Sequence, residues 1–226
     1  LWGAQLELAS TASGYVATTT AARTVYGIPA QWDSTGPQGY LAEGSRQNVC
    51  LQSNTFTTSW ADNLTPTVTQ NAVGPDGVTN SAWTLTDDDA AGTEWKQQSI
   101  VLTAATYTAS VFVKKTAGAT TYPALDVFGG AAGTRAALCT IDTNNGTATI
   151  WTAYTGFTIT TSSATCTSYN ANYWLVALTF LADADVGGWN IVLAPAATAV
   201  ATQSTGIFDV AVTGSAVFYG AQVELG

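Results

Sequence analysis

The sequence predicts an all-β chain, a jelly-roll β-sandwich of two antiparallel sheets led by an extended N-terminal strand and connector. Three observations predict it. The 226 residues hold 39 Thr, 38 Ala, 21 Gly and 24 aromatics (8 Trp, 9 Tyr, 7 Phe), but only seven Glu and Lys together. Thr and aromatic side chains suit a pleated, half-buried surface, and strong helix formers are scarce. Period-2 alternation of apolar and polar residues recurs along the chain, while no run of about ten residues shows helical periodicity. Turn residues separate the alternating runs, as Gly74-Pro75-Asp76-Gly77, Asn144-Asn145-Gly146 and Gly187-Gly188, and many short strands so spaced suit a sandwich.

The elements follow in order. Strands are expected near 48–53, 81–86 and 95–102. In 107–114, Tyr107, Ala109, Val111 and Val113 alternate with Thr108, Ser110, Phe112 and Lys114. Further strands are expected near 124–128, 136–141, 147–151 and 156–160. The run Trp174–Leu181 is apolar on both faces, which predicts a central strand covered on both sides. After 189–194 and 207–212, residues 217–225 place Val217, Tyr219, Ala221, Val223 and Leu225 on one face.

Residues 2–8 read Trp-Gly-Ala-Gln-Leu-Glu-Leu and residues 219–225 read Tyr-Gly-Ala-Gln-Val-Glu-Leu. This near-duplicate divides the chain: 1–47 reads as the closing strand of a preceding module plus an extended connector, and 48–226 as the sandwich module. The connector carries Thr and Ala runs, Pro29 and Pro37, and disorder stays open for 9–24. The chain contains no Met and begins at Leu1, so the polypeptide as made is expected to be longer. Trp2, Ala4, Leu6 and Leu8 form one face of the first copy, an assembly strand expected to pair at a sheet edge of its own or a neighbouring subunit.

Charge excludes several partners. Charged residues are 9% of the chain, with 6 Lys plus Arg against 15 Asp plus Glu, a formal net charge of −9 and a pI near 4.1. Such a surface repels phosphate, so no nucleic-acid partner is expected. No apolar run reaches the ~18 residues of a membrane helix, so no membrane partner is expected. With no His, Ser-His-Asp and Cys-His catalysis and imidazole metal sites are excluded. Cys50, Cys139 and Cys166 form no CxxC. A Cys139–Cys166 disulfide stays open, with buried free thiols favoured because free Cys is among the most buried residue types.

The N-terminal pattern Trp2-Gly3-Ala4-Gln5-Leu6-Glu7, followed by Gly14-Tyr15-Val16-Ala17-Thr18-Thr19-Thr20-Ala21-Ala22-Arg23, resembles a segment recurring in fiber and decoration proteins of tailed bacteriophages. Gly39-Tyr40-Leu41-Ala42-Glu43-Gly44-Ser45-Arg46-Gln47-Asn48-Val49-Cys50-Leu51-Gln52-Ser53 is similar to that family's entry into a following module. Phe56 and Trp60, the Gly74–Gly77 turn and the Tyr107–Lys114 strand fall in the family's order. The resemblance spans most of the chain. Cys50 stands where the family has an apolar Leu, and Gln47-Asn48 where it has Thr-Asn. It implies a carbohydrate-binding-module-like jelly roll in a head fiber, tail fiber or capsid decoration. The expected function is therefore a non-enzymatic structural protein at the virion surface, bound to other capsid or tail proteins and contacting host-surface glycans. The alternative is a secreted bacterial carbohydrate-binding module or a surface adhesin or filament subunit.

Candidate sites follow from residue type. Among the Trp residues, Trp60, Trp95 and Trp151 adjoin polar or turn residues, so they are the candidates for a sugar-stacking platform, against a favoured reading of core or intersubunit packing. Trp174 is expected in the core. Asp87 and Asp89, in the run Asp87-Asp88-Asp89 with Glu94 beyond, are hard oxygen ligands that could hold a structural Ca²⁺. Their spacing is not that of an EF-hand, and a solvated acidic turn is the favoured alternative. No other cofactor is expected. A glycosidase needs two carboxylates set across the scissile bond, and nothing in the sequence singles out such a pair. Low charge with many aromatics leaves an uncharged surface, so a homo-oligomer is expected, as a trimer or as neighbours on a lattice.

Overall fold

The computed structural model describes residues 47–130, 133–183 and 188–226, together with the backbone of 30–33 and 36–40. The chain divides into two units, Leu1–Ser45 and Arg46–Gly226. In the first, β1 (Ala30–Asp33) and β2 (Gly36–Tyr40) pair antiparallel, with Asp33 opposite Gly36. Part of the expected connector is thus a hairpin. The duplicated segment with Trp2, Ala4, Leu6 and Leu8, and residues 9–24, lie outside the described residues.

The second unit continues with β3 (Ala61–Asn63), β4 (Thr67–Ala72), β5 (Ala82–Asp87), β6 (Trp95–Ile100), β7 (Ala105–Lys114), β8 (Tyr122–Gly129) and β9 (Arg135–Asp142). It then runs through β10 (Thr147–Ile150), β11 (Ala153–Tyr154), β12 (Thr158–Ile159), β13 (Thr161–Ser168), β14 (Tyr173–Ala182), β15 (Trp189–Thr198), β16 (Thr205–Gly206) and β17 (Gly214–Leu225). Sheet I has the order β10-β9-β8-β15-β6-β3, and sheet II the order β13-β14-β7-β17-β5-β4. Neighbours within both orders are antiparallel. This is the predicted two-sheet jelly roll. No helix among the described residues is long and apolar enough to cross a membrane.

Alternation decides which side chains meet between the sheets. Sheet I sends in Leu125, Val127, Cys139, Ile141, Trp189, Ile191 and Leu193. Sheet II answers with Val111, Val113, Val176, Leu178, Phe180, Phe218 and Val223, all in one buried cluster. Phe56 and Trp60, from the loop that enters the module, join that cluster, and their rings meet edge-on at 5.0 Å.

Several expected elements change. Residues 48–53 and 207–212 are not strands. In the first, the Asn48 carboxamide oxygen accepts from the backbone N–H groups of both Cys50 and Val223, each at 2.9 Å. In the second, Asp209 N–H donates to Ala197 O and Val212 N–H to Asp209 O. The first segment lies along β17 without strand geometry, and Phe208 of the second packs over the outer face of sheet I. β4 and β13 were not expected: both are edge strands of hydroxyl and amide residues with little apolar alternation. β14 is internal to sheet II as predicted, but its outer face is buried at Tyr173 and opens toward Leu181, which is 55% exposed. β17 lies between β7 and β5, but β5 pairs only with Gly214–Phe218. Over Tyr219–Leu225 the second side of the strand is met by the 48–53 loop, with Val49 N–H on Val223 O and Ala221 N–H on Ser53 O.

The outer face of sheet I carries a second layer. β11 and β16 pair parallel, β12 pairs parallel with β9, and the connecting loops lie over the sheet. Beneath them Ala124, Ala136, Leu138, Trp151, Ala194 and Phe208 form a separate buried cluster, joined by Trp95, Phe128, Tyr154 and Phe157.

Candidate functional site

β6 buries Lys96, Gln98 and Ile100 and therefore turns Trp95 to the outer face of sheet I. The Trp95 indole N–H donates to Gln97 Oε1 at 3.0 Å, and its ring meets Phe208 edge-on at 6.2 Å. Beside it the covering layer leaves a cleft of about 270 Å³ lined by Asn63, Thr93, Tyr154 and Phe208, with Leu64, Ile207 and Val210 also on its wall. Thr93 is 6% exposed and its hydroxyl has no hydrogen-bond partner. Leu64, Ile207 and Val210 are about half exposed. The cleft thus pairs one half-buried indole with an aliphatic rim.

The other two Trp platforms are corrected. Trp60 is 5% exposed, packed on Phe56, with its N–H donating to Gln52 O at 3.3 Å. Trp151 is wholly buried, donating to Thr140 Oγ1 at 2.8 Å and meeting Tyr154 and Phe208 edge-on. Neither offers an open ring face to a ligand. Polar neighbours in sequence do not report which way a ring points, and both rings point inward.

The acidic run is also redirected. Asp87 is 1% exposed; its two oxygens accept from the backbone N–H groups of Asp89 and Glu94. Glu94 is fully buried and accepts from Thr65 N–H and Asp88 N–H, and Asp89 accepts from Ala91 N–H. The carboxylates staple their own loop, and among the described residues no group of three or more His, Cys, Asp or Glu could hold a metal ion. Backbone donors thus meet both Asp87 oxygens and Asp89 Oδ1, the arrangement of an acidic turn, the favoured alternative to a Ca²⁺ site at Asp87 and Asp89. Burial, with help from Glu94 and Asp89, pushes the Asp87 carboxyl up to about 6.

The three cysteines are free thiols: Cys50 and Cys139 buried, Cys166 half-buried. Burial raises the first two to about 12 and Cys166 to about 11, which keeps them unreactive near neutral pH.

Sequence reasoning missed the outer face of sheet II. It followed Trp, whereas the aromatics there are Phe112, Tyr169 and Tyr219, on β7, the β13–β14 turn and β17. Nearby lies a hollow of about 450 Å³ walled by Asn71, Thr84, Lys114 and Asn172. No Asp or Glu lines this hollow or the Trp95 cleft, so neither holds the carboxylate pair that glycoside hydrolysis uses.

Comparison with known proteins gives several structural likenesses, among them the following two. The enzymatically active domain of tailspike protein 4 of bacteriophage CBA120 matches 79% of this chain at 10% identity and a TM-score of 0.41. This chain spans 21% of that protein. The CBM22-1 xylan-binding domain of Xyn10C from Paenibacillus barcinonensis matches 80% of this chain, and 92% of its own length, at 10% identity and a TM-score of 0.42. No protein-family model and no curated protein sequence matches.

Proposed function

We propose that this chain is a non-enzymatic module of a tailed-phage particle surface that contacts host glycans. One observation carries the reading: the motifs of the phage fiber and decoration resemblance fall on the structural joints of the sandwich. Asn48 and Ser53 of the entry motif hold β17 through Asn48 Oδ1 to Val223 N–H and Ser53 O to Ala221 N–H. The Gly74–Gly77 motif is a tight turn closed by Gly77 N–H on Gly74 O at 3.0 Å, Tyr107–Lys114 lies within β7, and Tyr219–Leu225 within β17. Residues serving as joints account for a recurring pattern without any catalytic role.

Quantitative mass spectrometry of the purified source particles tests it, with the chain expected at a fixed copy number relative to the major capsid protein. A chain absent from particles and secreted as an appendage of a hydrolase overturns it. The second reading, a secreted carbohydrate-binding module, is favoured by the exposed aromatic surface of sheet II around Tyr169, which would need no particle to bind sugar.

A further inference from the structure

Resting on the glycan-contacting reading, we infer that the outer face of sheet II, around Tyr169, Phe112, Tyr219 and Asp76, is a binding site for neutral glycans. Alternation along β7 sends Val111 and Val113 inward and Phe112 outward, and Tyr219 pairs directly opposite Phe112 across the β7–β17 ladder. Tyr169 reaches in from the β13–β14 turn: its ring stands 4.7 Å from Phe112, which in turn lies 6.1 Å from Tyr219. Tyr169 is 56% exposed. An aromatic so exposed contributes little to the core and presents ring surface to the apolar C–H faces of a sugar.

Polar groups ring these aromatics. The Tyr219 hydroxyl donates to Asp76 Oδ2 at 3.1 Å, while Asp76 Oδ1 is held by Ser81 Oγ at 2.7 Å and Val78 N–H at 3.0 Å. The Ser81 and Val78 donors hold the exposed Asp76 carboxyl below the ordinary carboxylate range, so it stands as an ionised acceptor with lone pairs left on Oδ2. Asn170, which donates to Pro75 O at 3.3 Å, fixes the Asp76 turn against the Tyr169 turn. Backbone conformation contributes too: Gly220 has φ +64°, and a Cβ there would lie 3.4 Å from the Phe112 ring and 3.5 Å from Asn54 Oδ1. The bulge in β17 between Tyr219 and Gln222 falls at this glycine, letting the strand pass close beneath the aromatic group. Val217, Phe112 and Tyr219 pack on buried Tyr173, and Val217 also lines the 450 Å³ hollow. Aromatic surface and amide-lined hollow are therefore continuous.

Chemistry selects the ligand. Rings that stack, a carboxylate that accepts hydroxyls and amides that do both match a polyhydroxylated ring. The ionised Asp76 and a net charge of −9 oppose a uronate or sulfated chain. The aliphatic rim beside Trp95 lacks such acceptors.

The test titrates the full chain calorimetrically with neutral hexasaccharides of glucose, mannose, galactose and xylose, and with oligogalacturonate and heparin hexasaccharides. At least one neutral oligosaccharide should bind and the anionic ones should not. Tyr169→Ala should weaken that binding at least tenfold and Asp76→Asn severalfold, with Tyr169→Phe close to wild type and melting unchanged for both Tyr169 variants. Loss in Trp95→Ala with Tyr169→Ala unaffected, binding of the anionic probes alone, or no binding to any probe overturns the site. The particle measurement above decides the phage-surface reading separately, so either can fail while the other stands.

Discussion

Asp126 shows what one buried side chain demands. It lies on the outer face of β8, opposite Leu138 and Val192, 2% exposed, and its Oδ1 has no hydrogen-bond partner. Burial pushes its carboxyl up to about 8 against a small opposing effect from Val127 N–H, so it is mostly protonated at neutral pH. A raised carboxyl stabilises the fold fully below the unfolded value near 4, and that stabilisation is lost as pH rises through about 8. Asp87, raised to about 6, has lost its share by then. Between pH 6 and 8.5 the melting temperature should fall by several degrees, roughly 2 kcal/mol, and Asp126→Asn should flatten that slope. An unchanged slope in the variant removes Asp126 as its source. Gly146 is the second such position. Its φ is +72°, and a Cβ there would stand 2.5 Å from the Trp174 ring, over which Lys115 Nζ stands 4.0 Å from the centroid. Gly146→Ala should destabilise by about 1–3 kcal/mol in urea unfolding; a neutral result would mean that the turn relaxes freely.

Elements differ in how plainly the sequence announces them. β7 alternates cleanly because one face meets the core, and its register follows, and β14 is marked by a continuous apolar run. β17 departs from the sequence expectation, because its bulge between Tyr219 and Gln222 turns Val217 and Tyr219 outward while Phe218, Ala221 and Val223 face the core. β4 and β13 are edge strands whose outer positions are Thr, Ser and Asn, so no apolar period marks them. The short β11 and β16 owe their place to tertiary contacts: Thr152 N–H on Ser204 O at 2.8 Å and Thr155 N–H on Gly206 O at 2.9 Å. The candidate site was legible only in part. Trp95 does line a cleft, but the inward turn of Trp60 and Trp151 depends on packing that local sequence does not encode, and Tyr169 meets Phe112 from 57 positions away. Trp151 anchors the layer over sheet I through its N–H to Thr140 and its contacts with Tyr154 and Phe208. Trp151→Ala should cost about 3–5 kcal/mol and raise amide exchange in 152–160 and 204–209 before that of β7 and β14. Uniform loss of protection would place Trp151 in the common core instead.

The whole molecule keeps its surface nearly uncharged, with 9% Asp, Glu, Lys and Arg, and repulsion between copies is correspondingly spread over few groups. Single exposed aliphatic residues such as Val101 and Val200 are ordinary. A cluster is not: Leu64, Ile207 and Val210, each about half exposed, surround the same cleft. Apolar rim, half-buried Trp95 and the unpartnered Thr93 hydroxyl form a surface better suited to a protein side chain than to a sugar hydroxyl. We therefore expect the full chain to self-associate through this rim. Light scattering at tens of micromolar should find a mass well above 23.3 kDa, little changed by added salt because burial of apolar area, not ion pairing, drives it. The double substitution Leu64→Asp with Val210→Asp should return the chain to monomer without altering its far-ultraviolet circular dichroism, since both side chains are largely outside the core. A wild-type chain that stays at 23.3 kDa throughout, or a double variant that associates as well as the wild type, would show that this rim is not the interface.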